Sequence, residues 1–306
     1  MERNVRVNAK LGFTNGIATY VMWGLFPLFW TLLAHVNSFD ILANRIVWSF
    51  VFSVVAMIVL NKWHRFTDVV RQLIESPKKA IILFFASVCI SVNWFMYIWA
   101  VANHHVIDTS LGYYINPLLS IVFGVIIYKE TLLRGQKIAI TIAAIGVAIM
   151  IVSYGEIPFI ALTLAVSFAL YGVMKKQVQL EALHSVALET LLILPIALGY
   201  MVYQWQQGQA AFLHIHWTTD VLLIVSGLVT IIPLVCFAVA AKNLPLYVLG
   251  FLQYMTPTMT LLFGLFLYGE TFSQADIIGF SFIWLSLFIF SVATYRQHRR
   301  MNKVAS

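Results

Sequence analysis

Arg45 and Glu189 are charged residues inside long apolar runs. A charge in hydrocarbon costs about 2.5–3.5 kcal/mol on insertion scales, so it requires a partner, a wet cavity or a function. Arg45 has the chemistry to hold a substrate carboxylate or phosphate. Its structural alternatives are snorkelling to the nearer interface and pairing with Asp40 or Asp108. Glu189 has the chemistry of a proton-coupling carboxylate, since burial brings carboxyl protonation into reach near neutral pH. Its alternative is a helix-packing hydrogen bond. Asp108, which follows Asn103-His104-His105, offers a second coupling carboxylate. Equally, it suits the first turn of a helix, where an acid complements the dipole. The adjacent histidines point to different helix faces, and no third ligand is near in sequence, so no metal site is predicted.

A second group of residues is polar and aromatic together. Asn93, Trp94, Tyr97 and Trp99 lie in one apolar run, and Tyr113, Tyr114 and Asn116 in the next. Gln253, Tyr254 and Thr256 occupy the matching positions further along. Asn93, Tyr97 and Ala100 fall at i, i+4 and i+7, which places them on one helix face. Buried amides need partners, so this face either lines a cavity or ties helices together. With Arg45, the candidate substrate-binding set is Asn93, Trp94, Tyr97, Tyr113, Asn116, Tyr171, Gln253, Tyr254 and Thr256. Pro117 and Pro257 each remove a backbone donor within a run and permit a bend, which makes them candidate hinges.

The elements that must position these residues are membrane spans. The chain is 61% hydrophobic and 10% charged, with a mean hydropathy of +0.88; a soluble domain carries about 25% charged residues. At ~20 residues per span, the apolar runs read as ten: 11–33, 39–60, 80–102, 107–128, 134–153, 157–174, 182–204, 217–240, 245–267 and 274–294. Of the 19 Lys and Arg residues, all but Arg45 fall in segments on one side of this arrangement. That partition puts both termini on the cytoplasmic side. The net charge of +7 therefore reflects topology and anionic lipid headgroups, and nucleic-acid binding is not predicted. The basic first residues followed by an apolar span resemble an uncleaved signal anchor. Cys89 and Cys236 both fall inside spans and read as buried small apolar residues.

The chain also repeats itself. Tyr114, Pro117, Phe123, Gly124, Tyr128, Glu130 and Thr131 recur at one constant offset as Tyr254, Pro257, Phe263, Gly264, Tyr268, Glu270 and Thr271. Trp99-Ala-Val-Ala102 recurs as Phe237-Ala-Val-Ala240, and Trp23-Gly24 pairs more loosely with Tyr171-Gly172. Five spans per copy force the copies to insert in opposite directions, so Glu130 and Glu270 fall on opposite membrane faces. Both read as structural acids at span ends. The predicted fold is an all-α membrane protein of ten transmembrane helices. These form two inverted five-helix repeats, 11–153 and 157–294, with a short basic cytoplasmic tail at 295–306. A substrate site near the midplane between the halves is the usual consequence.

Pro117, Glu130, Gln136 and Gly146, echoed by Pro257, Glu270 and Gly279, resemble the EamA unit of the drug/metabolite transporter superfamily. The copies differ in that Gln136 corresponds to Asp276 and Gly279 to Ala139. The run from Val92 to Leu119 resembles the RarD-like subgroup, named for chloramphenicol sensitivity. The resemblance implies a multi-pass permease or exporter of the bacterial inner membrane, moving a small metabolite or drug by alternating access. It also implies a central cavity lined mainly by spans 1, 3, 4, 6, 8 and 9. No P-loop motif is present and no cofactor is predicted, so a gradient would drive transport, or it is passive. The expected partners are a small-molecule substrate and membrane lipid. Gly12 and Gly16 form a G-x-x-x-G pair that permits close helix approach, and a homodimer is one use of it. The alternatives to a transporter are a membrane-embedded lipid-modifying enzyme, which needs a catalytic cluster at one interface, and a non-transporting sensor or scaffold.

Overall fold

A chain with so few charges cannot leave its backbone polar groups unsatisfied in lipid, and helices satisfy them within each segment. The computed structural model describes residues 8–102, 106–155, 159–178, 180–266 and 273–305. These fold entirely as helices and connections: α1 (Ala9–Gly24), α2 (Phe26–Thr31), α3 (Ser38–Val59), α4 (Trp63–Glu75), α5 (Pro77–Ala102), α6 (Val106–Tyr128), α7 (Arg134–Tyr154), α8 (Phe159–Val178), α9 (Ala182–Gln206), α10 (Trp217–Asn243), α11 (Leu246–Gln253), α12 (Met255–Phe266) and α13 (Gln274–Ala305). Eight of them (α3, α5, α6, α7, α8, α9, α10 and α13) are long and apolar enough to cross a membrane.

The sequence leads one to expect single spans at 11–33 and 245–267; each is two helices. Leu25 separates α1 from α2, and Tyr254 separates α11 from α12. Proline explains both positions. Pro27 and Pro257 have no N–H to offer the carbonyl four residues upstream, and their rings crowd that turn. Pro117, by contrast, sits within an unbroken α6. Pro195 and Pro233 likewise lie inside continuous helices. The structure adds an element that hydropathy does not register. α4 is a short amphipathic helix in a charged connection, burying Phe66 and Leu73.

Alternate helix ends gather on two faces. On one face Asn8 donates to Asn243 at 3.1 Å, Lys62 pairs with Glu181, and Glu130 joins Lys176 to the start of α11. This is the face rich in Lys and Arg, called here the basic face. On the opposite face His35 meets Thr219 at 3.0 Å, and Ser38 donates to the Ile98 carbonyl. Between the faces α3 packs against α9 and α10, α8 against α5 and α6, α1 against α10, and α6 against α11; α7 pairs with α13 to one side.

Small residues set these approaches. A Cβ on Gly227 would come within 2.5 Å of the Trp48 backbone, so α10 closes on α3 only at a glycine. Gly146 and Gly279 do the same for α7 and α13, where a Cβ on Gly146 would lie 2.8 Å from the Gly279 carbonyl. Gly12 and Gly16 face Leu244, Asn243 and Leu252 of the same chain. The G-x-x-x-G pair therefore serves packing within the molecule and is not free as a dimer contact.

Candidate functional site

Arg45 lies about two turns into α3 from the opposite face, roughly 10 Å deep at 1.5 Å per residue. It is 4% exposed. Its Nε donates to Thr230 Oγ1 at 2.7 Å, a contact reachable because Gly227 lets α10 approach one turn earlier. Three rings surround the guanidinium. Its Cζ is 4.4 Å from the Trp94 centroid, 5.0 Å from Trp30 and 6.0 Å from Phe26. No carboxylate among the described residues pairs with it, so neither snorkelling nor an ion pair with Asp40 accounts for its position. The Asp108 side chain, like His104 and His105, lies outside the described residues.

Arg45 opens onto a small cavity of about 70 Å³. α1 and α2 contribute Tyr20, Trp23 and Phe26, and α5 contributes Asn93, Trp94 and Tyr97. Tyr113 and Asn116 come from α6, Phe168 from α8, Gln253 from α11 and Thr256 from α12. Arg45 is the one charged group among these lining residues. The break at Tyr254 brings the site together: Gln253 ends one helix, and Thr256 near the start of the next donates to the Tyr20 carbonyl at 2.9 Å. Asn93 donates to the Leu164 carbonyl at 2.9 Å, so it both lines the cavity and ties α5 to α8.

Of the ten substrate-binding candidates, the structure places Tyr171 and Tyr254 behind the wall. Both are fully buried. Tyr254 packs edge-on against Phe251. Tyr171 stacks on Phe237 with centroids 5.8 Å apart, within an aromatic floor that includes Trp23 and Phe168. Sequence reasoning did not single out Thr230, Tyr20, Phe26 or Phe168. Thr230 carried no signal, and an isolated aromatic in a span does not tell its direction.

Beneath that floor lies Glu189, about two turns into α9 from the basic face. It lines no part of the cavity. Lys175 Nζ meets its carboxylate at 2.5 Å, Tyr171 donates at 2.9 Å and Ser185 at 2.9 Å. Lys175, read from sequence as a loop cation, is buried in the last turn of α8. Nearby, Glu130 pairs with Lys176 at 2.5 Å. It also accepts from the backbone N–H groups of Leu246 and Tyr247 at 2.8 and 3.0 Å. It thus caps the start of α11, where the four first N–H groups have no helical partner. Burial pushes the Glu181 carboxyl up, but the bonded Lys62 ammonium outweighs this and holds it below the usual range. That pair therefore contributes above the ordinary carboxylate pKa and is lost as pH falls through the lowered value.

A many-helix membrane protein with a polar-aromatic cavity between its helices is the class these features define. The profile of the EamA-like transporter family matches residues 10–152 and again residues 157–292, and the chain belongs to that family. It is 45% identical over 293 residues to the uncharacterized transporter YojE of Bacillus subtilis, covering 95% of this chain and 96% of that one. It is 38% identical to protein RarD of Escherichia coli, covering 96% and 98%, and 40% identical to protein RarD of Streptomyces exfoliatus, covering 95% and 91%. One crystal structure superposes with a TM-score of 0.71 at 15% identity, covering 95% of this chain and 99% of that chain. That likeness speaks to the fold.

Proposed function

We propose that the protein is a secondary transporter of a small organic molecule in a bacterial inner membrane, working by alternating access, and not an enzyme. The observation that carries this reading is the cavity between the two matched stretches. Residues before 153 supply most of its wall, and Phe168, Gln253 and Thr256 complete it from the second stretch. In this reading the units, 11–153 and 157–294, are inverted repeats of five spans each. The broken pairs α1/α2 and α11/α12 count as spans one and nine, and the basic face is cytoplasmic.

Two asymmetries support the alternating-access part. Span nine is interrupted for one residue at Tyr254, which keeps helical dihedrals, while its repeat partner α6 is uninterrupted at Pro117. Span one is broken at Leu25, while its partner α8 is continuous. Inverted repeats that exchange conformations would break α6 and straighten α11/α12 in the other state, which gives Pro117 and Pro257 their hinge role. The ion pairs cluster at the basic face, below the cavity, and in this scheme the described state is the one closed on that side. Glu189 is the coupling carboxylate in this scheme. Protonating it leaves the buried Lys175 without its counter-charge and favours opening on the basic side.

Reconstitution into liposomes tests the reading. Saturable flux of a solute, with a pH dependence that Glu189→Gln flattens, is the expected outcome. Lipid turnover without flux of any solute would refute it, and an unaltered pH profile in Glu189→Gln would remove the coupling assignment.

A further inference from the structure

We infer that the cavity selects a flat, aromatic monoanion, with a carboxylate held by Arg45; this rests on the transporter reading of the same cavity. Arg45 uses one of its five N–H donors on Thr230. Its two Nη groups have no acceptor among the described residues. The guanidinium is nine-tenths buried and lines the cavity. A planar fork of this kind fits a carboxylate through two parallel hydrogen bonds. Among the described residues the guanidinium meets aromatic faces and one hydroxyl, so a carboxylate is the group that would neutralise it.

The charge count restricts the ligand further. The lining holds no second cation and no carboxylate among the described residues. A dianionic phosphate would leave one negative charge uncompensated in a low-dielectric site. An amine would meet Arg45 as a like charge. Trp23, Trp94 and Phe168 offer apolar faces to the rest of the molecule, and Asn116 and Gln253 offer a polar end.

Calorimetry on the purified full-length chain provides the test. The probes are phenylacetate, 4-hydroxybenzoate and indole-3-acetate, each against its amide, with phenyl phosphate and phenethylamine for comparison. At least one carboxylate should bind ten-fold or more tightly than its amide and than both comparison compounds. Arg45→Gln should abolish that difference, and Arg45→Lys should keep part of it. Equal binding of acid and amide by the wild type overturns the proposal, as does failure of all three acids to bind at millimolar concentration. The wild-type comparison stands even where a variant fails to fold. An acid preference that survives in folded Arg45→Gln overturns it too. Flux assays separate the two readings. Arg45-dependent acid binding without flux sinks the transporter, and flux indifferent to Arg45→Gln sinks only the anion site.

Discussion

Arg45 and Glu189 answer the cost of a buried charge in opposite ways. Arg45 keeps its charge beside rings and one hydroxyl among the described residues. Glu189 is satisfied by Lys175, Tyr171 and Ser185. Removing one partner of such a buried pair costs about 3–5 kcal/mol, whereas replacing both with apolar groups is often neutral. Lys175→Met should therefore lower the thermal unfolding temperature markedly, and Lys175→Met/Glu189→Leu should recover most of the loss. A double variant as unstable as the single one would show that the pair does more than neutralise itself. Thr230→Val leaves Arg45 Nε without its acceptor and costs about 1–3 kcal/mol. It should weaken binding of the aromatic carboxylates by roughly ten-fold or more, measured by the same calorimetry.

Among the elements, the contacts that matter are those that bring backbones together. Gly146 and Gly279 place α7 and α13 in direct contact, away from the cavity. Gly146→Leu overfills that seam, at about 1–3 kcal/mol, and should lower thermal stability while leaving carboxylate affinity unchanged. The proline-linked breaks act on conformation instead. Pro257→Ala restores a backbone donor and favours a straight α11/α12, so it should shift the protein away from the described state. Pro117→Ala should oppose bending of α6 and hold the described state. The readout is maleimide labelling of a cysteine at Asn116 from each side of the membrane, with Cys89 and Cys236 replaced. Identical labelling in both variants would remove the hinge role.

At the scale of the whole molecule, the side of the membrane taken by the basic face sets the direction of transport. Gln72 is exposed on α4 at the basic face, and Gln209 is exposed in the connection from α9 to α10 at the other. In right-side-out vesicles an impermeant maleimide should label Gln209→Cys and spare Gln72→Cys, and inverted vesicles should reverse this. The opposite pattern would turn the proposed topology over, along with the direction in which the described cavity opens.

The sequence alone established the apolar runs, the basic face and the residues costly enough to need an explanation. Each is local: run length follows from bilayer thickness, and loop charge needs no knowledge of packing. Of the two prolines that the sequence offers as hinges, Pro257 follows an interruption and Pro117 does not, while Pro27 follows the other interruption and Pro195 and Pro233 lie within continuous helices. Whether a proline interrupts a helix depends on what its neighbours allow. Tertiary structure alone decided which polar residues face a common space. Asn93 and Gln253 turn toward it, while Tyr171 and Tyr254 turn away, because a side chain's direction depends on how each helix is rotated against its neighbours. The same is true of Lys175 and Glu189. Distant in sequence and on different helices, they become one buried pair only when α8 and α9 lie side by side.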